Sequence, residues 1–382
     1  METRFLLLED GALYKGRRFG APAPHLGQGI VAGELVFNTS MTGYQEILTD
    51  PSYHGQMVVM TYPHIGNYGC DPAFDEGLKH PSGISCSALI VRSVYEGPLP
   101  MKRVSLDRYL THHHVVGITS VDTRSLTIHL RTKGSQNAII FDADTSDLSQ
   151  QQYEAALASV RAFPHLGERD LIENVATKQV IYDPPIAGSV PFTPVLRFAL
   201  VDFGIKRSII AELYRRKVGV TLFPPDVKAR TILESGCNAM LLSNGPGDPA
   251  LLIEAVEMTR EVITKLPVFG ICLGHQLITW ALGGRTIKLP YGHHGGNHPI
   301  IDLDSKACFV TSQNHGYASE EASLPDAVHV WLRNANDYTI EGLYHTAKQV
   351  CSVQFHPEAS PGPQDATWIF DRFIKIAEEA RS

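Results

Sequence analysis

The run Val268-Phe269-Gly270-Ile271-Cys272-Leu273-Gly274-His275-Gln276 constrains the fold more than any other stretch of this chain. Its apolar start reads as a buried strand, two glycines bracket a cysteine, and an apolar-periodic segment follows. The spacing predicts strand, sharp turn and helix, with Cys272 at the tip of the turn. Gly-x-Cys-x-Gly is the cysteine counterpart of the nucleophile elbow, where small residues two positions either side let the backbone turn tightly. The helix N-terminus beyond it offers unpaired N–H groups and a positive dipole end, which both favour a thiolate. A cysteine used only for packing between two glycines is the plainer reading of the same residues, and a base nearby would separate the two.

A candidate base comes late in the chain. Val350-Cys-Ser-Val-Gln-Phe355 alternates before an apolar end and reads as a strand that delivers His356-Pro357-Glu358. Pro357 excludes a continuing helix and keeps His356 extended. In extended backbone, residues i and i+2 point the same way, so His356 and Glu358 can face one pocket. A thiol at neutral pH needs a base, and an imidazole needs a carboxylate to fix its tautomer. Cys272, His356 and Glu358 fill those three roles.

The surrounding pattern supports one sheet edge. Tyr182–Pro194 holds four prolines in thirteen residues and cannot sustain regular structure, so it reads as a linker. Beyond it, apolar runs at 195–201, 218–223 and 239–242 alternate with helical segments at about 208–217 and 252–265. Strand and helix in series predict a parallel sheet with helices on both faces, binding ligands beyond the carboxyl ends of its strands. Gly245-Pro246-Gly247, Cys272 and His356 each follow a strand directly and should gather on that edge. Before the linker, short apolar runs at 5–8, 35–37, 56–62, 84–91 and 138–141 are broken by glycine and proline and read as a β-rich domain. Ser149 with Gln152 makes a capping-box start for a helix to about Ala162. Residues 37–53 and 61–67, polar and turn-rich, read as surface loops.

Gly270-Ile-Cys-Leu-Gly-His-Gln276, Ser243-Asn-Gly-Pro-Gly-Asp-Pro249 and Gln354-Phe-His-Pro-Glu358 resemble the class I (triad) glutamine amidotransferases. Residues 37–53, 61–67 and 117–131 resemble segments of the small, glutamine-hydrolysing subunit of carbamoyl phosphate synthetase. The resemblance implies an α/β fold: a C-terminal doubly wound, mostly parallel sheet over residues 195–382, and an N-terminal β-rich α/β domain over 1–180 that docks a partner subunit. The linker spans 181–194. It further implies that Ser52, Gly245, Gly247, Leu273, Gln276, Asn314, Gly316 and Tyr317 hold glutamine, with Ser52 reaching in from the neighbouring domain. Tyr317 stands where phenylalanine is expected in many relatives. The implied partner is a large synthetase subunit in a heterodimer that carries ATP and magnesium and makes carbamoyl phosphate from bicarbonate, for arginine or pyrimidine synthesis. No cofactor and no metal are expected in this chain.

Composition narrows the alternatives. The net charge is 33 − 40 = −7, and no basic stretch suggests a nucleic-acid footprint. The six cysteines are scattered without a Cys-x-x-Cys pair, which fits neither a zinc site nor a disulfide framework and favours a reduced compartment. The apolar core of Met1–Asp10 is too short for a signal peptide, and no run approaches membrane-spanning length. A cytoplasmic protein is expected. His112-His113-His114 reads as a solvated loop or strand end, and His293, His294 and His298 as a glycine-rich loop. No Gly-x-x-x-x-Gly-Lys-Ser/Thr phosphate loop occurs. Three other readings compete: a glutaminase feeding another synthetase, such as one making guanylate or anthranilate, a silent regulatory scaffold, and a γ-glutamyl peptidase.

Overall fold

The computed structural model describes residues 3–78 and 83–381, so the first two residues of the N-terminal stretch lie outside it. The chain divides into two compact units. One comprises Met1–Asp75, His80–Arg169 and Pro290–His294, and the other Glu76–Lys79, Asp170–Leu289 and Gly295–Ser382.

The first unit is built on a closed barrel of seven strands, in the order Thr3–Leu8, Leu13–Gly20, Val116–Thr119, Ala88–Ile90, Gln56–Met60, Val31–Asn38 and Gln136–Ala143. Thr3–Leu8 closes it by pairing antiparallel with Gln136–Ala143, Leu6 opposite Ile140. Successive side chains of a strand point to opposite faces. Leu6 and Leu8 therefore join Leu35, Met57, Ile90 and Ile118 in one core, while Phe5 and Leu7 pack with Ala156 and Val160 of the Gln150–Arg161 helix. Burial on both faces explains why this strand is an unbroken apolar run. The helix begins with the expected capping box of Ser149 and Gln152. Arg4, fully buried, ties the barrel together: its guanidinium reaches both oxygens of Asp142, at 2.6 and 2.8 Å, and the carbonyls of Phe19, Ala21 and Gly117.

Three expectations change here. Residues 37–53 are not a surface loop: Tyr44–Thr49 is a short helix, Pro51–Tyr53 a 3-10 turn, and Tyr44, Ile47 and Leu48 are core residues. Apolar side chains at i, i+3 and i+4 bury one face of that helix, while the polar residues between them satisfy backbone and neighbours. Within residues 61–67, His64–Ile65 forms a short strand with Ser93–Val94. His112 ends the Leu106–His112 helix and His113 caps it, so the histidine run is a helix terminus rather than a loop or strand end.

The second unit is organised around a ten-stranded sheet in the order Ile181–Tyr182, Val218–Phe223, Leu196–Val201, Ala239–Leu242, Val268–Ile271, Val350–Val353, Ile340–His345, His329–Asn334, Thr286–Asp302 and Cys308–Ser319. Val218–Phe223 through Val350–Val353 run parallel, whereas Ile181–Tyr182 pairs antiparallel with Val218–Phe223, and Val350–Val353, Ile340–His345, His329–Asn334 and Thr286–Asp302 pair antiparallel in turn. Helices cover both faces of the parallel half. Phe198, Leu241, Phe269 and Val353 pack against Ile209 and Leu213 of Arg207–Arg215 and Phe370 and Phe373 of Trp368–Glu379. Val201, Met240, Leu242 and Val268 pack against Val256 of Ile253–Val262 and Leu277 of Leu273–Ala281. His293, His294 and His298 lie within the Thr286–Asp302 strand instead of a loop, and Gln313–Tyr317 lies inside the Cys308–Ser319 strand. Hydrogen bonding into the sheet keeps these glycine- and polar-rich segments extended despite their turn-like composition.

Candidate active site

The elbow forms where the spacing places it. Val268–Ile271 ends at Cys272, the helix Leu273–Ala281 starts one residue later, and Cys272 has φ 54° and ψ −106°. A non-glycine residue at positive φ is uncommon and costs of order 1–3 kcal/mol, a strain that clusters at active sites. The two glycines make the turn possible. A Cβ on Gly270 would stand 2.5 Å from the Gly274 backbone, and one on Gly274 would stand 2.1 Å from the Leu242 carbonyl oxygen. Main-chain bonds then lock the turn, Cys272 N–H donating to Val353 O at 2.9 Å and Gly274 N–H to Ser243 O at 3.0 Å. The Cys272 thiol is buried and faces the Asn314 carbonyl oxygen at 3.5 Å.

Val350–Val353 delivers the second half. His356 N–H donates to Ser312 O at 2.8 Å, fixing the backbone beyond the strand end. The His356 Nδ1 lies 2.6 Å from Glu358 Oε1, and both side chains are buried. A carboxylate at Nδ1 makes that nitrogen the proton carrier and leaves Nε2 for chemistry. Burial alone would lower the proton affinity of His356, but the Glu358 charge and the neighbouring Cys272 thiol outweigh it and raise the pKa. Burial likewise opposes ionisation of Glu358, yet Lys206 and His356 hold it below the usual carboxylate range.

Lys206 is a residue that sequence reasoning missed. It follows the Leu196–Val201 strand, is 2% exposed, and its Nζ donates to Glu358 Oε1 at 2.9 Å and to Ala359 O at 2.5 Å. A lysine is almost never buried unless paired. Its partner lies 152 residues away, so only its place directly after a strand of the parallel half could have flagged it.

The other expected residues of this unit assemble on the same edge. A Cβ on Gly245 would stand 2.2 Å from Phe203 O and 2.9 Å from Leu273 Cδ2, which brings the Gly245–Gly247 loop against the first residue of the elbow helix. Gly247, at φ 95°, and Gly316 have nothing within 4 Å of a built Cβ, so packing does not demand glycine there and both leave space for a ligand. The Leu273 N–H is first in its helix and has no intrahelical acceptor. Gln276, one turn beyond Cys272, donates from Nε2 to Tyr317 O at 2.9 Å. Tyr317 thus contributes its backbone, a bond that phenylalanine would make equally. Ser52 lies in the first unit, buried in Pro51–Tyr53 with its N–H on Asp50 Oδ1 at 2.9 Å.

Beside the elbow, His275 is buried between two hydroxyls, Nδ1 at 2.9 Å from Ser352 Oγ and Nε2 at 3.0 Å from Ser319 Oγ. Burial pushes its pKa down to about 3, so this histidine stays neutral.

The class of the second unit follows from sequence comparison as well as from the elbow. The family description "Glutamine amidotransferase class-I" matches residues 199–376, spanning Lys206, Cys272, His356 and Glu358. Residues 6–140 match a second description, "Carbamoyl-phosphate synthase small chain, CPSase domain". Three relatives, each named carbamoyl phosphate synthase small chain, align along nearly the whole length. That of Thioalkalivibrio sulfidiphilus is 44% identical, covering 97% of this chain and 96% of its own. Those of Methanopyrus kandleri and Escherichia coli K12 are each 42% identical, covering 98% and 100% of this chain and 99% of their own. The chain belongs to the carbamoyl phosphate synthase small chain family and carries a class-I glutamine amidotransferase domain. Among the described residues, no helix is long and apolar enough to cross a membrane.

Proposed function

We propose that this chain hydrolyses glutamine to glutamate and ammonia through Cys272, His356 and Glu358, and passes the ammonia to a large synthetase subunit. The observation that carries the reading is the strained Cys272 at the head of a helix, on the same sheet edge as a buried His356–Glu358 pair. Cys272 Sγ attacks the side-chain carbonyl carbon of glutamine, and its proton goes to His356 Nε2. The Leu273 N–H and the Gly245–Gly247 loop stabilise the oxyanion, where loss of one donor typically costs about 2.7–4 kcal/mol in the barrier. The intermediate collapses as His356 protonates the departing amine, leaving a thioester and ammonia. Water, deprotonated by His356, attacks the thioester and releases glutamate and the thiol. Glu358, anchored by Lys206, orients the imidazole throughout. Gln276, Asn314, Gly316 and Tyr317 hold the amino-acid end, and Ser52 is carried over from the family resemblance alone.

The partner is a large subunit, in a heterodimer, that uses ATP and magnesium to make carbamoyl phosphate from bicarbonate and the ammonia delivered to it. The product serves arginine or pyrimidine synthesis. This chain itself needs no cofactor. We place the complex in the cytoplasm, a reading supported by six cysteines that are all unbridged. The test is ammonia release from glutamine by the purified chain, with and without co-expressed large subunit, ATP and bicarbonate. Strong stimulation accompanied by carbamoyl phosphate is the expected result. Full activity alone, indifferent to the partner, would remove the coupled reading and leave the triad standing.

A further inference from the structure

Gln354 sits between the strand Val350–Val353 and His356, and it is completely buried. Its N–H donates to Glu341 O at 2.9 Å, so the sheet fixes its backbone. Its Oε1 accepts from Gln276 Nε2 at 3.1 Å, and the same Gln276 nitrogen donates to Tyr317 O at 2.9 Å. A main-chain carbonyl can only accept, so the Gln276 atom facing Tyr317 O is the NH2 group. Two NH2 groups cannot bond to each other, so the Gln354 atom facing Gln276 is its carbonyl oxygen. Both N–H bonds of Gln276 are then committed. One acceptor sets which end of the amide faces the strand, and the second sets its plane. What Gln276 can still offer a ligand is Oε1, an acceptor.

The other half of the Gln354 amide is unused: Nε2 is buried without a hydrogen-bond partner. An orphaned buried donor carries a desolvation cost that methionine or leucine would not. Holding Gln276 is the compensating gain that the structure offers for a glutamine here. With its NH2 committed, Gln276 cannot donate to a carboxylate, but its oxygen can accept from an ammonium group.

We propose that Gln354 is a positioning residue that locks the Gln276 amide with its oxygen toward the substrate, and so sets the preference for a ligand bearing an α-ammonium group. The proposal rests on the glutamine-site reading above. It is tested in the complex with the large subunit, with glutamine as substrate and 5-amino-5-oxopentanoate, which is glutamine without its amino group, as competitor. Gln354→Met keeps the side-chain volume and removes the acceptor. The KM for glutamine should rise about tenfold with kcat within about threefold, while the Ki of the competitor stays within about twofold. Gln354→Leu, should the methionine variant fail to fold, is expected to give the same split. Weakening of both ligands by one factor, or of neither, would overturn the role and leave Gln354 as packing. A wild-type complex that releases no ammonia from glutamine would instead overturn the glutaminase reading, a result distinct from an unchanged ratio of KM to Ki.

Discussion

His275 sits next to the elbow, and its surroundings make it a pH-sensitive element of stability rather than of charge. No carboxylate contributes to its proton affinity: burial alone lowers the pKa from 6.5 to about 3, while the two serine hydroxyls satisfy the neutral ring. In the unfolded chain the same imidazole titrates near 6.5. The folded value lies below the unfolded one, so this contribution is complete above pH 6.5 and is lost as pH falls toward 3. At pH 5 the unfolded ring is charged and the folded ring is not, a difference of about 1.36 × (6.5 − 5) ≈ 2 kcal/mol against folding. The perturbation is His275→Asn, which removes the titrating group. The measurement is denaturant unfolding of both proteins at pH 7 and pH 5. The variant is expected to start less stable at pH 7 and to lose about 2 kcal/mol less than wild type between the two. All other titrations cancel in that comparison. Equal losses, within about 0.5 kcal/mol, would refute the reading of His275 as a buried neutral group.

Four further outcomes follow from the same physical chemistry. Cys272→Ser should abolish glutamine-dependent synthesis by the complex yet leave ammonia-dependent synthesis intact, and His356→Asn should do the same; a Cys272→Ser chain that keeps its ammonia-release rate would end the triad assignment. Gly274→Ala forces a methyl to 2.1 Å from the Leu242 carbonyl and should cost about 3 kcal/mol or more in unfolding experiments. Gly316→Ala, with open space at its Cβ, should leave stability within about 0.5 kcal/mol while raising the KM for glutamine. Arg4→Met strands the buried Asp142 carboxylate and should destabilise the first unit by about 3–5 kcal/mol; a loss under about 1 kcal/mol by hydrogen exchange of the barrel strands would contradict that.

The elbow at Cys272 and the pairing of His356 with Glu358 were legible because each depends on local sequence: glycines two residues either side, a proline after the histidine, a carboxylate two residues on. The same holds for the Gln150–Arg161 helix, whose capping box lies within four residues. Other features depend on distant partners. Lys206 has meaning only beside Glu358. Closure of the barrel joins Leu6 to Ile140, and nothing near either residue announces it. The Tyr44–Thr49 helix starts at Gly43, at φ 84°, without a side-chain cap, so the usual start signal is missing although its apolar spacing is present. Gln313–Tyr317 has the polar, glycine-containing composition of a turn, yet Gln313, Asn314, His315 and Tyr317 are buried in a strand, where Gln313 and His315 find hydrogen-bond partners among neighbours rather than in solvent.

The barrel seam also sets an order of events on the ribosome. Thr3–Leu8 finds its hairpin partner, Leu13–Gly20, almost at once, but the strand on its other side, Gln136–Ala143, is made more than a hundred residues later. At roughly 5–20 residues per second, that wait is on the order of ten seconds. Throughout it, Phe5-Leu6-Leu7-Leu8 presents an uncharged, unpaired edge of the kind other chains can extend, and Arg4 waits for the carboxylate of Asp142. The interval in which a nascent copy is most open to wrong pairing therefore closes before Cys272 has been synthesised.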